Sequence, residues 1–568
     1  HLLISTIHAV AVAAAAAAVA ATLSLPGPAA AQVAEPACQA CEKVQRQVGP
    51  GDAAPPPAYT RWLSAAPGPA SMGLAFAGGK LWVVDRKAGA IFAVVPSTGA
   101  VERRLPSPCG EPGGVAAGDG KLWCTDVVES SVHAMDAGSG ASVLKVESPC
   151  SYPGSLAWAG GRLFIVCPFK KQIAVTDPQD GTALRWLPAP HKRVSALGAG
   201  GGYLWAADRE RDEIYQIDPE HGYVLNVLRA GSPYVTGLAS DGDTVWAVDH
   251  LTDSLLSLDL DKVPATTVEA EKRERLFFTH TVRNSGPAVL GDVAIFIALP
   301  GRKETQEVLK VTPFPAGTSP AQVADASGQS YWRFSTPSLP PGEEATAGFQ
   351  ADVVLRKVRW FVDPRQVRPP AEIPADVKTR FLRDQSKYDL EHPKIKEKAA
   401  AIVGSEKNPY IAFLRIYHYV IDNMEYQIEG GWNAAPLLLE RKTGSCSEYT
   451  ILLVALLRAA GIPARYVGSV VLRGEDASVD LVFHRWAEVF IPGLGWLPVD
   501  ANRGDVQWPA EQAEGVGLLD ASFLITTEGG GDSEIIGWSY NSIARWKHMG
   551  QADVRERTAG EWEPLGQP

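Results

Sequence analysis

Between residues 59 and 262 the apolar residues fall in short runs that recur at a fixed step. LWVVD begins at Leu81, LWCTD at Leu122, LFIVC at Leu163, LWAAD at Leu204 and VWAVD at Val245. Their aromatics, Trp82, Trp123, Phe164, Trp205 and Trp246, stand 41 residues apart, and Gly99, Gly140, Gly181 and Gly222 keep the same step. A period near ~40 residues, with several short β-rich segments per unit, predicts propeller blades. The expected architecture over 59–262 is therefore an all-β five-bladed propeller. The fifth unit runs out near Lys262 without a fourth strand, and TRWLS at 60–64 resembles the fourth strands ALRWLP and VLKVES. Pairing of 60–64 with the fifth unit closes the ring and removes an open sheet edge.

The pattern changes at 263. Over 263–365, RLFFTHTVRN, DVAIFIALP, QSYWRFST and ATAGFQADVVLRKVRWFV alternate apolar with polar residues, separated by turn chemistry in NSGP and LPPGEE. Several strands in ~100 residues predict an Ig-like β-sandwich. From about 370 helical spacing takes over. Asn408 caps a helix with Pro409 at its first position, and Phe413, Leu414, Tyr417, Val420 and Ile421 form one buried face. A second helix starts at Ser445, with Glu448 completing an S-x-x-E capping box, and ends at Gly461 before Pro463. VFHRWAEVFI, PGLG and WLPVD then read as strand, turn and strand. If Ile491 faces Gly495, Trp486 faces Asp500, and His484 lies on the same sheet face as Asp500.

Composition places this architecture outside the cytoplasm. The first residues form an alanine-rich apolar run followed by Pro26, Pro28 and Ala29-Ala30-Ala31, which predicts a signal peptide over 1–31, with an uncleaved anchor as the alternative. Residues 32–58 read as an Ala/Pro/Gly linker, and 546–568 as a C-terminal tail. Of seven cysteines, six precede residue 170. Cys109 and Cys150 are one period apart, so the pairs Cys109–Cys124 and Cys150–Cys167 follow. Each closes a loop of about 15 residues, worth roughly 3 kcal/mol in the chain-entropy account. Cys38 and Cys41 read as a local disulfide, with metal binding as the less favoured alternative. A net charge of −11 without a basic block argues against nucleic acid as a partner.

Cys446 is left without a partner. It lies at the first turn of a buried helix, where unpaired N–H groups and the helix dipole favour thiolate over thiol. An imidazole oriented by a carboxylate, the His484–Asp500 pair, is what activates such a sulfur. No G-x-S-x-G, H-E-x-x-H or phosphate-binding glycine loop competes with this reading.

TGSCSEYT, AAGIPARYVGSVVL, FHRWAEVFIPGLGWLPVDAN and GDSEIIGWSYNS together resemble bacterial transglutaminase-like proteins of the papain-like cysteine superfamily, over roughly 370–545. The resemblance implies an α+β transglutaminase-like core. Cys446 would be the nucleophile that forms a thioester, His484 the base and acid, and Asp500 the group that holds the imidazole. It also makes Trp432 a candidate oxyanion donor or subsite. Its 14-residue spacing to Cys446 departs from the animal pattern, and a packed loop aromatic is the alternative. No cofactor or metal is implied. The expected function is that of an exported thiol enzyme, periplasmic or secreted, that cleaves or transfers amide acyl groups of a protein or cell-wall peptide recruited by the propeller. The alternative is an envelope binding protein with a vestigial core; contact with a membrane is expected only through an uncleaved N-terminal segment.

Overall fold

The computed structural model describes residues 56–566 apart from 233, 429–431, 475–476 and 530. The expected signal peptide, most of the linker and the Cys38–Cys41 pair lie outside these residues. Residues 60–259 form five four-stranded antiparallel sheets. In the first, Ser71–Ala77, Lys80–Asp85, Ala90–Val94 and Val101–Pro106 follow one another in order. The fifth takes its outer strand from the start of the region: Thr60–Ala65 pairs antiparallel with Ser254–Asp259, as the sequence predicts. The first strands of the sheets, Ser71–Ala77, Pro112–Gly118, Leu156–Ala159, Val194–Gly200 and Val235–Ser240, pack on one another in that order. The last packs back on the first. Glycine permits this approach, since a Cβ at Gly237 would lie 2.7 Å from the backbone of Gly73 and Leu74. Thr236 Oγ1 also donates to Ser71 O at 2.9 Å across the same junction.

The repeated Asp that ends each LW strand clamps the preceding loop. Asp126 accepts from the N–H groups of Gly110, Glu111, Val128 and Glu129 at 2.8–3.2 Å. Asp85 takes Ala70 N–H and Ala88 N–H, and Asp249 takes Tyr234 N–H and Thr252 N–H. In the third unit Cys167 stands where the others have Asp, and its disulfide to Cys150 ties the equivalent loop. The Cys109–Cys124 disulfide is also formed.

Residues beyond 265 build two packed sheets over one core. The first sheet has the order Gln306–Phe314, Glu344–Trp360, Thr266–Asn284, Val554–Pro564, Ser478–Asp480. The second runs Ala321–Ala324, Ser330–Leu339, Leu290–Ala298, Ser542–His548. Three of these strands come from the far end of the chain. The segment expected as a tail therefore contains a strand that pairs with Thr266–Asn284 from Asn284↔Val554 to Glu274↔Pro564. Its inward residues make this pairing favourable: Trp562 is buried with Leu276, Phe278 and Phe349.

The remaining body sets the helices Pro393–Val403, Pro409–Asn423, Ala435–Arg441 and Cys446–Ala459 against a sheet of order Gly495–Val499, His484–Ile491, Ala464–Val471, Phe523–Glu528. Asn408 caps its helix by accepting from Tyr410 N–H and Ile411 N–H. Residues 446–458 are all buried, so the Cys446 helix is the centre of this core. It docks on the five-sheet region through Asn226, which accepts from Val362 N–H at 3.0 Å and donates to Val362 O at 2.7 Å, and through Tyr410 Oη, which donates to Leu225 O at 2.8 Å. Among the described residues no helix is long and apolar enough to cross a membrane.

Candidate active site

Three sequence-distant segments deliver Cys446, His484 and Asp500 to one place. Glu448 accepts from Ser445 N–H at 3.0 Å, completing the capping box and fixing the start of the helix that carries Cys446 at its first position. His484 opens the strand His484–Ile491, and Asp500 directly follows Gly495–Val499. The hairpin pairs Ile491 with Gly495 and Ala487 with Val499, the register the sequence predicts. Parity then brings the two side chains together, and His484 Nε2 lies 2.6 Å from Asp500 Oδ2. The other ring nitrogen is left for the sulfur, and His484 and Cys446 each shift the other's pKa.

The surroundings hold this pair in place. Asp500 Oδ1 accepts from Arg503 N–H at 3.1 Å, and Asp500 N–H donates to Gly515 O at 2.8 Å. No side chain fits at residue 515, where a Cβ would lie 2.7 Å from Asp500 O. Before His484, the buried carboxylate of Asp480 accepts from Val471 N–H, Val482 N–H, Phe483 N–H and Arg473 Nε–H at 2.7–3.2 Å. Phe483 is thereby kept at φ 61°. A bulky residue rarely occupies that region, so strain of order 1–3 kcal/mol sits next to the imidazole.

Electrostatics favour the charged forms. Burial alone would lower the pKa of His484, but the adjacent Asp500 carboxylate and the sulfur outweigh it and raise it to about 10. Burial would raise the Cys446 thiol, but the hydrogen bond and positive charge of His484 bring it below its ordinary value. Asp500 is likewise lowered by His484 against its burial. The arrangement therefore supports a thiolate–imidazolium pair.

Sequence reasoning did not single out two further residues. Tyr540 Oη lies 3.8 Å from Cys446 Sγ and hydrogen-bonds Ser447 Oγ. Arg485 is fully buried, with its guanidinium 4.0 Å from the Tyr540 ring, 4.2 Å from Tyr466 and 4.4 Å from Trp432. Its Nη2 donates to Trp538 O at 2.7 Å. Trp432 stands edge-on to Tyr540, with ring centroids 5.7 Å apart. Among the described residues the phenol of Tyr540, and not the indole of Trp432, hydrogen-bonds the sulfur. Tyr540 was readable only as part of GWSYNS, since nothing local ties it to a cysteine 94 positions away.

Among the described residues one cluster has the donor set of a metal site, Cys109, Asp126 and His133. Cys109 is already bonded to Cys124, and Asp126 is saturated by backbone donors.

Comparison with known proteins places the same residues in a family. Over 156 residues the chain is 28% identical to an uncharacterized protein of Haemophilus influenzae, covering 23% of this chain and 42% of that protein. Over 167 residues it is 27% identical to the uncharacterized protein YebA of Bacillus subtilis, covering 26% of this chain and 21% of that protein. The matches thus span less than half the length of either relative. A crystal structure of a candidate cysteine protease from Cytophaga hutchinsonii aligns at 18% identity with a TM-score of 0.39, covering 53% of this chain and 94% of that one. Residues 396–501, which include Cys446, His484 and Asp500, match the model of the transglutaminase-like superfamily, and the chain thus carries a transglutaminase-like domain.

Proposed function

We propose that this chain is an exported thiol enzyme that cleaves or transfers amide acyl groups through a thioester on Cys446. The observation that carries the reading is His484, whose Nε2 lies 2.6 Å from Asp500 Oδ2 and whose positive charge lowers the pKa of the Cys446 thiol. The Cys446 thiolate attacks the amide carbon, forming a C–S bond and driving the carbonyl electron pair onto oxygen. The tetrahedral adduct collapses, the C–N bond breaks, and His484 gives its proton to the departing amine. Asp500 holds the ring and stabilises its positive form throughout. Water or a second amine, deprotonated by His484, then attacks the thioester and regenerates the thiolate.

The other regions fit this role. We read the five sheets as a five-bladed propeller that recruits a protein or cell-wall peptide, and the two packed sheets as an Ig-like sandwich between it and the core. The two disulfides support an oxidising, extracytoplasmic compartment. Iodoacetamide labelling tests the site: Cys446 is expected to react near neutral pH far faster than an ordinary thiol, and His484→Ala to abolish that advantage. Slow labelling that His484→Ala leaves unchanged would overturn the reading.

A further inference from the structure

We propose that Tyr540 is a catalytic residue: its phenol O–H, together with the Cys446 N–H, donates to the oxyanion formed when the sulfur attacks a carbonyl. This rests on the thiol-enzyme reading above and assigns the group it leaves open, the one that receives the negative charge.

The geometry points to Tyr540 for three reasons. Its oxygen lies 3.8 Å from Cys446 Sγ, close enough that an oxygen on a carbon bonded to the sulfur can sit beside the pair, within donor distance of the phenol. Such an oxygen needs donors about 2.7–3.1 Å away. The second donor comes with the nucleophile, because the N–H of the first helical residue has no intrahelical acceptor. Next, Ser447 Oγ contacts the same phenol oxygen from the neighbouring residue of the helix. With Ser447 as the donor of that pair, the phenol proton is directed at the sulfur and whatever bonds to it. Finally, the guanidinium of Arg485 lies 4.0 Å from the Tyr540 ring, held by Trp538 O. A buried cation against the ring face strengthens the O–H as a donor, while burial keeps the phenol protonated across the working pH range. Trp432, the candidate from sequence, packs behind Tyr540 as its edge-on support.

In the step itself the C–S bond forms, the carbonyl π pair moves to oxygen, and the two O···H contacts strengthen as charge accumulates. Collapse returns the pair to the carbonyl and expels the leaving group. No proton leaves Tyr540.

Two reactions of the same sulfur separate this role from a structural one. Alkylation by iodoacetamide forms no oxyanion. Acylation by p-nitrophenyl acetate does, and its leaving group requires no proton from His484. In Tyr540→Phe, which keeps the ring and its stacking, the p-nitrophenol burst rate is expected to fall about 10²–10³-fold. The iodoacetamide rate, measured on its pH plateau, is expected to change far less, because alkylation forms no oxyanion. Ser447→Ala is expected to slow acylation less than Tyr540→Phe, again with far less effect on alkylation. An unchanged burst in Tyr540→Phe overturns the proposal, as does an equal fall in both rates. If wild-type labelling is slow and indifferent to His484→Ala, the thiol-enzyme reading fails and this proposal fails with it.

Discussion

The charge state of His484 decides what the site can do at a given pH. Its raised pKa, near 10, and the lowered pKa of Cys446 open a window in which sulfur is negative and imidazole positive. The signs follow directly. A lowered thiol pKa keeps the thiolate as pH falls below the ordinary ~8.5, so iodoacetamide labelling stays fast until acid protonates the sulfur. A raised imidazole pKa keeps the proton as pH rises, so cleavage of an amide, whose leaving nitrogen needs that proton, is lost only as pH passes through about 10. Because Asp500 is the largest raising influence, Asp500→Asn is expected to shift the upper limb of the amide-cleavage profile down from about 10 toward 6.5, read from initial rates across pH. The convergence of Cys446, His484 and Asp500 was legible in the sequence because each had a local signal: a helix cap before Cys446, and a hairpin whose parity joins His484 to Asp500. Tyr540, Arg485 and the Asp480 clamp were not. Their partners lie across the fold, and a buried arginine stacked on aromatics has no periodicity to announce it.

At the scale of elements, the strand Val554–Pro564 shows where reading along the chain falls short. Its sequence, VRERTAGEWEP, presents charged residues to solvent and few apolar ones inward, which is why it resembles a tail. Only its pairing with Thr266–Asn284, far away in sequence, and with Ser478–Asp480 makes it a strand. Trp562 is 4% exposed at the core of the two packed sheets. Trp562→Ala is expected to cost about 3–5 kcal/mol in urea denaturation, because the cavity cannot collapse between paired strands. The 41-residue units lie at the other extreme. Each carries its own aromatic, all but the third a clamping Asp and the first four a turn glycine, so the five sheets and the pairing of Thr60–Ala65 could be read from the sequence.

At the scale of the whole molecule, the five-sheet region and the helical core meet through polar groups that are buried only because the two bodies dock. Asn226 satisfies both the N–H and the C=O of Val362. Asn226→Ala leaves both without partners. It is expected to lower stability by about 1–3 kcal/mol in urea or thermal unfolding, an effect absent from exposed Asn→Ala controls.

The placement of Val554–Pro564 inside a sheet begun at Thr266 also governs how the molecule comes into being. A polypeptide emerges from the ribosome or a translocon N-terminus first, at about 5–20 residues per second. The long strand Thr266–Asn284 therefore waits, one flank open, until the final segment arrives on the order of tens of seconds later. Phe483, beside His484, shares its apolar core with Trp562, so the packing next to the imidazole is complete only once that segment has inserted.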